Sequence, residues 1–432
     1  MKAIVLFARN IAFSCVLLLA FRAASVAQEP IAPEAHAPQH PSALHDLIAE
    51  VERNNPQVAA AEYSYRAATH IAAQKSALPD TQLTVQQFSV GSPRPFAGYT
   101  NSNFAYVAIG ASQEIPYPGK RNLRAQVGNR EADVRQADAE SVRRDVIDKT
   151  KAIYFQLAYL QQTLAILERN NDLLNDVQQI AESRYRVGQG NQQEVLKAQL
   201  QHTKILQQIT MHHRDVGQLQ AQLKQLLNRP QDSPDIETEP VTLRPLTYSA
   251  ADLLKLVRDH NPAVQAGQAM LNRAQAEVDV AKKEFRPDFN VQYMYQNTDR
   301  QFRDYYMVTF GINLPNRGRR KAELAEAEAN REQSSTQLDA ELQQRLADVQ
   351  QQYVAAQSSA EQLKIYSDGL VPQSEATFRA ALAAYQVNRQ DFQTLLSSFL
   401  DFLNLQLDYQ RELAEHEVAL AHLETLTGVN FQ

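Results

Sequence analysis

Residues 53–62, RNNPQVAAAE, contain an asparagine followed directly by a proline at the start of a helical pattern. Proline suits the first helical turn and disfavours the helical conformation for the residue before it, so Asn55-Pro56 indicates a helix start. A closely similar phrase, DHNPAVQAGQ, returns at residues 259–268. One such coincidence carries little information, but a repeat of the surrounding sequence would indicate internal duplication.

The surroundings of the two asparagine-proline pairs do repeat, in the same order and about 200 residues apart. The paired phrases are HDLIAEVERNNP and ADLLKLVRDHNP, LPDTQLTVQQF at 78 and RPDFNVQYMYQ at 286, QEIPYPGKRNLRA at 113 and GINLPNRGRRKAE at 311, and ESRYRVGQGNQQEVLKAQL at 182 and LAAYQVNRQDFQTLLSSFL at 382. A repeat this long indicates duplication of a whole structural half. We assign residues 42–228 to a first repeat, 229–248 to a connector and 249–432 to a second repeat.

The beginning of the chain has the pattern of a targeting segment. Residues 1–27 combine a basic start, an apolar run and a small-residue cleavage site, which predicts a secretory signal peptide. The Pro-rich residues 28–41 are expected to be extended. Cys15 is the one cysteine, and the bulky Phe13 argues against a lipoprotein signal. We therefore expect a mature chain without lipid, disulfide or thiolate metal site.

The composition argues against several functional classes. After the signal, no apolar run approaches the ~20 residues that cross a bilayer as a helix. The formal net charge of −6 is spread over mixed charges, so no nucleic-acid partner is expected. No phosphate-binding loop or nucleophile elbow is present, so we expect no enzyme activity and no cofactor. His212-His213 and the pair His36 and His40 lack clustered ligands, so no metal site is expected.

Most of the mature chain is predicted to be helical. Sevenfold spacing of apolar residues from Val146 to Leu174 predicts a coiled-coil seam in a helix from 119 to 187. The other predicted helices run from 42 to 78, up to 227, up to 287, from 318 to 387 and up to 427. Each repeat thus has one helix of about 70 residues and two of about 37, and two short helices stacked end to end match one long helix. The simplest packing stacks the last helix of the first repeat on the first helix of the second, and the chain's first helix on its last.

Four short stretches alternate between apolar and polar residues, which predicts strands at about 81–89, 104–115, 289–296 and 305–314. Such faces are typical of strands that meet lipid on one side. Four strands cannot close a barrel, so several chains must combine theirs. Three chains would supply twelve strands, which makes a trimer the smallest sensible assembly. The alternative is a pair of soluble β-hairpins that cap a helical bundle.

With these features the chain resembles the TolC-like outer membrane efflux proteins over nearly all of its mature sequence. The resemblance is carried by the doubled Asn-Pro helix starts, the strand pairs, the phrases QEIPYPGKR and INLPNRGRR, and the turn phrases RYRVGQGNQQEVLKAQL and AYQVNRQDFQTLL. It implies a mainly α fold with a small β part: an antiparallel coiled-coil barrel of long helices, plus four strands per chain in a trimeric twelve-stranded transmembrane β-barrel.

The resemblance also implies a function. Such channels sit in the outer membrane with a large periplasmic part, here including the connector, and serve as passive exit ducts. Their partners are a periplasmic adaptor and an inner-membrane pump, which we expect to be proton-driven. The phrase IPYPGK is most similar to the branch that exports heavy-metal cations. The alternatives are an exit duct for type I protein secretion and, from a different class, a periplasmic coiled-coil scaffold.

The resemblance places the tunnel tip, where an adaptor docks and the pore closes, at two turns between helices. The first-turn candidates are Arg184, Tyr185, Val187, Gly188, Gln189 and Gly190, and the second-turn candidates are Tyr385, Val387, Asn388, Arg389 and Asp391. A glycine at such a turn permits positive φ, and Asn388 can adopt the same left-handed geometry. Some family members carry aspartate rings near the second tip. Here Thr394 and Ser397 lie near those places, so Asp391 is the acidic residue to test.

A second candidate group lies where strand gives way to helix. Gly119, Lys120 and Arg121 in the first repeat correspond to Gly318, Arg319 and Arg320 in the second. We expect the glycines to allow a sharp change of direction and the basic side chains to lie near lipid headgroups. Gly369 and Pro372 fall inside the second long helix, where proline is expected to cause a kink, either a passive one or a bend that helps the tip to open.

Overall fold

A computed structural model describes residues 41–88, 105–298, 302–429 and 431. The predicted signal peptide and nearly all of the Pro-rich segment lie outside these residues. Residues Pro41–Gln432 cluster as one compact unit. Within the described ranges, no helix has both the length and the apolar character needed to cross a membrane.

Ten α-helices and four strands make up the described part of the chain. The helices are α1 Leu44–Asn54, α2 Pro56–Thr69, α3 Ile71–Ser76, α4 Lys120–Arg186, α5 Gln192–Leu226, α6 Ala250–His260, α7 Pro262–Lys283, α8 Arg317–Ile365, α9 Val371–Gln386 and α10 Phe392–Thr427. The strands are β1 Gln82–Phe88, β2 Tyr106–Ile115, β3 Asp288–Thr298 and β4 Phe302–Asn313. The long coiled-coil helix, predicted over 119–187, is therefore confirmed as α4.

The predicted first helix of each repeat is broken at the asparagine that precedes proline. Asn55 ends α1 in an extended conformation, because a residue before proline is disfavoured in a helix. Its side-chain oxygen then accepts hydrogen bonds from the backbone N–H groups of Gln57 and Val58, at 2.8 and 3.3 Å, and so caps α2. Asn261 separates α6 from α7 in the same way.

The same two asparagines show which helices stack. The Asn55 amide nitrogen donates to the carbonyl oxygen of Leu226, at the end of α5, over 2.8 Å. The Asn261 amide donates to the carbonyl oxygen of Leu426, near the end of α10, over the same distance. Each short first helix therefore follows the last helix of its own repeat. The predicted stacking across repeats was wrong, because the free amide of each asparagine satisfies a helix-end carbonyl within the same repeat.

The second long helix is not continuous. One wider π turn, Tyr366–Leu370, separates α8 from α9, and the backbone N–H of Val371 bonds back to the carbonyl oxygen of Tyr366. Pro372 follows directly, and proline has no N–H to continue the regular helical ladder. The structure therefore places a π turn just before the proline at which a kink is predicted.

The four strands form one antiparallel sheet in the order β1-β2-β3-β4. Strands β2 and β3 join the two repeats, with Ile109 opposite Tyr295, and β1 and β4 form the edges. Matched rows of residues cross all four strands on each face. An apolar row is Leu83, Ala111, Tyr293 and Val308, and a row of the opposite face is Gln82, Ser112, Gln292 and Thr309. One face is thus largely apolar and exposed, whereas the other mixes polar and small residues with Phe88, Tyr106 and Met294.

The helices enclose three apolar clusters. One lies among α4, α5, α9 and α10 near the two helical turns, and includes Leu167, Leu174, Phe378 and Phe399. Two others surround α1 and α6 and the ends of α5 and α10. The connector is attached to this region by Arg244, whose side chain and backbone N–H both bond the buried carboxylate of Glu417.

Candidate functional site

The two predicted tip turns have the same backbone. In the first, the N–H of Gln189 bonds the carbonyl oxygen of Arg184 and the N–H of Gly188 bonds that of Tyr185. In the second, Arg389 bonds Ala384 and Asn388 bonds Tyr385 in the same pattern. These two backbone hydrogen bonds define the Schellman motif, which needs a residue in the left-handed conformation after the helix. Gly188 at φ +76° and Asn388 at φ +58° supply it, as predicted.

Each turn ends in a capped helix. Asn191 accepts a hydrogen bond from the N–H of Glu194 over 3.1 Å, and Asp391 accepts one from the N–H of Thr394 over 2.9 Å. That bond, with a second from the Thr394 hydroxyl, lowers the pKa of the Asp391 carboxyl. The side chain predicted as an acidic ring candidate is therefore a helix cap that also remains exposed and charged.

Arg184 connects the two turns. Its guanidinium donates to the carbonyl oxygen of Tyr385 and to the side-chain oxygen of Asn388, and it lies 4.2 Å from the centre of the Tyr385 ring. The Tyr385 hydroxyl donates to Glu194 over 2.7 Å. Arg184, Tyr385 and Glu194 therefore form what we name the tip clamp, in which two first-repeat side chains hold one tyrosine of the second repeat.

The tyrosine of the tip clamp is buried, whereas Arg184 and Glu194 are partly exposed. Tyr385 is 1% exposed, and its ring meets that of Phe392 edge-on at 5.7 Å. Burial and the neighbouring Glu194 carboxylate raise the pKa of the Tyr385 hydroxyl, which therefore stays a hydrogen-bond donor. Sequence reasoning missed Glu194, because a glutamate in the first turn of a helix has an ordinary explanation in the helix dipole.

The other tip candidates do not join the tip clamp. Tyr185 corresponds to Tyr385 but is 48% exposed, and Val187 and Val387 are exposed as well. Gln189 contributes only its carbonyl oxygen to Arg184, over 3.3 Å. Gly190 leaves space, since a β-carbon there would lie 3.3 Å from the Glu194 carboxylate. Arg389 has an exposed side chain. These residues form a mixed apolar and basic surface around the turns.

The strand-to-helix junction contains a buried ion cluster. Gly119 adopts φ +91° directly before α4, so the chain turns sharply there, as predicted. Lys120, the next residue, is 1% exposed and bonds Glu284 over 3.0 Å and Asp288 over 2.9 Å. The expectation that Lys120 lies near lipid headgroups was wrong. Its ammonium instead joins the start of α4 to the end of α7 and the start of β3.

Glu284 is the common carboxylate of this cluster. Arg124 bonds its second oxygen over 2.7 Å, and Arg320 approaches it to 3.4 Å. Burial alone would raise the pKa of Glu284, but the hydrogen bonds and charges of Arg124 and Lys120 lower it. The carboxylate is therefore charged at neutral pH and holds three cations from both repeats.

The remaining junction residues are more exposed. Arg121 donates to the carbonyl oxygen of Ser76 over 2.6 Å. Arg319 is exposed and pairs within its own helix with Glu323 at 3.1 Å. Gly318 does not have positive φ, because the helix begins one residue earlier and Asn316 caps it. The predicted glycine role therefore applies to the first junction and not to the second.

Metal ligands are not grouped in the part of the chain that the structure describes: no three His, Cys, Asp or Glu side chains lie close enough together to hold an ion.

The sequence family described as outer membrane efflux protein matches residues 47–229 and 253–424, which together are most of the chain. The chain belongs to the outer membrane efflux protein family. The two matched ranges fall on the two repeats, and the predicted outer-membrane location is confirmed with the family. Its members are transport channels and not enzymes. A comparison with curated protein sequences finds no significant match.

Solved structures of outer membrane proteins share the fold. The outer membrane protein VceC of Vibrio cholerae matches with a TM-score of 0.77 at 18% identity, over 90% of this chain and 97% of that one. The CmeC outer membrane channel of Campylobacter jejuni matches at 0.75, with 14% identity over 90% and 86%. The open state of the Neisseria gonorrhoeae MtrE outer membrane channel matches at 0.74, with 17% identity over 89% of both chains. The predicted fold class, a TolC-like helical barrel with a small sheet, is confirmed.

Proposed function

We propose that this chain is one of three subunits of a passive exit channel in the outer membrane. The observation that carries the proposal is the four-stranded sheet, which has one largely apolar exposed face, a second face that includes most of the polar and small residues, and two edge strands. A sheet with this division suits lipid on one side and a water-filled lumen on the other. An even number of strands and closed edges follow when three copies combine twelve strands.

In this proposal, the helices below the sheet form the walls of a periplasmic tunnel, and the two turns form its far end. The tip clamp holds the turns of one chain together, which favours a closed end. The exposed Tyr185, Val187, Val387 and Arg389 around the turns supply an apolar and basic surface for a periplasmic adaptor.

Export in this proposal is driven by a partner. An inner-membrane pump, proton-driven, loads the tunnel through the adaptor, and the channel itself performs no chemical step. For cargo we propose heavy-metal cations, supported by the phrase IPYPGK at residues 115–120. In this proposal the pump selects the cargo, because a wide tunnel discriminates little between compounds.

A deletion strain and its complemented parent test the proposal on a panel of divalent and monovalent metals, dyes and detergents. We expect the deletion to become sensitive and the gene to restore growth, with the strongest effect on metals. Sensitivity to dyes and detergents alone would contradict the metal cargo and leave the channel intact. Equal growth of both strains on every compound, with an unchanged yield of secreted protein, would contradict the efflux function.

The oligomer gives an independent test. We expect the purified protein to migrate as a heat-dissociable trimer and to fractionate with outer membranes. A monomer in the soluble periplasmic fraction would contradict the channel and favour a scaffold.

A further inference from the structure

The internal repeat gives a template for the contact between copies. Inside one chain, β2 of the first repeat pairs with β3 of the second, and this seam is fully described. In a closed ring, β4 of one copy pairs with β1 of the next. By the internal repeat, β4 corresponds to β2 and β1 corresponds to β3. The inference rests on the proposed trimer and concerns which residues meet at that second seam.

The correspondence between the junctions can be checked within the chain. The aligned phrases equate Arg121 with Arg320, and Ser76 with Glu284. In each repeat, the structure places the arginine in contact with its partner at the end of the preceding helix. Arg121 bonds the Ser76 carbonyl oxygen over 2.6 Å, and Arg320 approaches the Glu284 carboxylate to 3.4 Å. The two junctions therefore share a geometry as well as a sequence pattern.

The same alignment equates Lys120 with Arg319 and Asp288 with Asp80. Lys120 and Asp288 form the ion pair of the seam within the chain, at 2.9 Å. Arg319 and Asp80 are both exposed, and Asp80 has no ion pair with the residues that the structure describes. We propose that Arg319 of one copy pairs with Asp80 of the neighbouring copy, at the junction of strand and helix.

The strands support this pairing through their register. Within the chain, Ala111 lies opposite Tyr293, and the alignment transfers this pair to Phe310 of one copy and Val85 of the next. The pair Gly110 and Met294 transfers in the same way to Thr309 and Gln86. Apolar residues then face apolar residues, and polar residues face polar ones. A shift of one residue would place the apolar face of β4 beside the polar face of β1.

The transferred register also fits the strand lengths. It places Asn313, the last residue of β4, opposite Gln82, the first residue of β1, and it places Met307 opposite Phe88 at the other end of β1. All seven residues of β1 therefore find a partner within β4. A second copy of this chain is thus the occupant that both edges fit.

Cysteine pairs test the register, because the one natural cysteine lies in the predicted signal peptide. Two double variants sample the hydrogen-bonded and the non-hydrogen-bonded kind of opposite residue pair: Phe310→Cys with Val85→Cys, and Thr309→Cys with Gln86→Cys. The pair whose α-carbons lie closer should form a disulfide more readily. Phe310→Cys with Leu83→Cys is the shifted control. On oxidation in outer membranes, we expect at least one matched pair to form disulfide-linked chains up to three long, at least five-fold more than the control. More linkage in the control would overturn the register.

A charge exchange tests the ion pair. We expect Arg319→Asp and Asp80→Arg each to lower the temperature at which the trimer dissociates, and the double exchange to restore at least half of the loss. Arg317→Asp, two residues away and also exposed, is the matched control and should change little. Additive losses in the double variant would overturn the pair while the trimer stands. A wild-type protein that is never trimeric would overturn the proposed function instead.

Discussion

The two helical turns share a backbone and differ in what their side chains do. Both are Schellman turns with a left-handed residue, Gly188 or Asn388, and both lead into a capped helix. Yet Tyr185 of the first turn is exposed, whereas Tyr385 of the second is buried. The difference arises because the first repeat supplies Arg184 and Glu194, while the second has Ala384 and Thr394 at the matching positions.

This comparison shows how a duplicated chain can specialise. The turn geometry depends on a few backbone hydrogen bonds, which tolerate many side chains and survive in both copies. The tip clamp depends on particular charged groups, and it joins the first turn to the second within one chain only. In the proposed trimer, the second turn of one copy would lie beside the first turn of the next copy. There Ala384 and Thr394 would face Tyr185, so no such clamp can form.

The test with the largest expected effect replaces each of the two tyrosines with alanine. We expect Tyr385→Ala to destabilise the region of the turns by about 3–5 kcal/mol, the range for a buried aromatic side chain. Tyr185→Ala should cost at most about 0.5 kcal/mol, as for an exposed residue. Hydrogen exchange of the backbone around both turns measures the two effects. Equal costs would show that Tyr185 is buried in an assembly contact and would break the comparison.

The asparagines before proline should behave alike, because their contacts match in the two repeats. We expect Asn55→Ala and Asn261→Ala each to cost about 2 kcal/mol, from the lost cap and from a helix-end carbonyl left without its donor. Asn→Ser at the same positions is the control, since serine keeps a capping oxygen and lacks the amide donor without adding a charge. Thermal unfolding of the purified protein measures the effect, and clearly unequal losses would contradict equivalent stacking in the two repeats.

The left-handed position of the first turn should depend on the backbone alone. A β-carbon at Gly188 would meet nothing within 4 Å. Gly188→Ala should therefore cost about 1 kcal/mol for the left-handed conformation, and Gly188→Asn clearly less, because asparagine adopts it more readily. Unfolding free energies of both variants check this. A cost for Gly188→Asn as large as that for Gly188→Ala would show that contacts to another chain matter here.

A smaller difference concerns pH. His422 bonds the Asp148 carboxylate over 2.9 Å, whereas the matching residues of the opposite repeats are Gln222, for His422, and Ala347, for Asp148. The hydrogen bond to Asp148 raises the pKa of His422 above its ordinary value of 6.5, although partial burial opposes this.

The sign of this pH effect follows from the raised pKa. The stabilisation is complete below the unfolded value and is lost as pH rises through the folded value. Because the side chain is partly exposed, we expect only about 0.5 kcal/mol. His422→Gln should therefore reduce stability at pH 5 and match the wild type at pH 9. Parallel stability curves over that range would contradict the assignment.

Local signals predicted much of the fold and little of the side-chain network. The Asn-Pro phrases, the alternating strands and the sevenfold spacing depend on neighbours in sequence, and the helices, sheet and turns followed from them. The prediction of which helices stack was wrong because the contact of Asn55 with Leu226 joins residues that are far apart in the chain. Lys120 was misplaced because a lysine beside a glycine gives no sign that two distant carboxylates will bury it.

The most direct test of a channel closed at the helical turns is conductance of the purified protein in planar lipid bilayers. Wild-type protein should show small, stable conductance, and Arg184→Ala or Tyr385→Phe should raise it several-fold by releasing the tip clamp. Tyr185→Phe, the matched control outside the tip clamp, should leave it unchanged. Unaltered conductance in both tip clamp variants, or no conductance in any protein that is trimeric in the same membranes, would contradict the account.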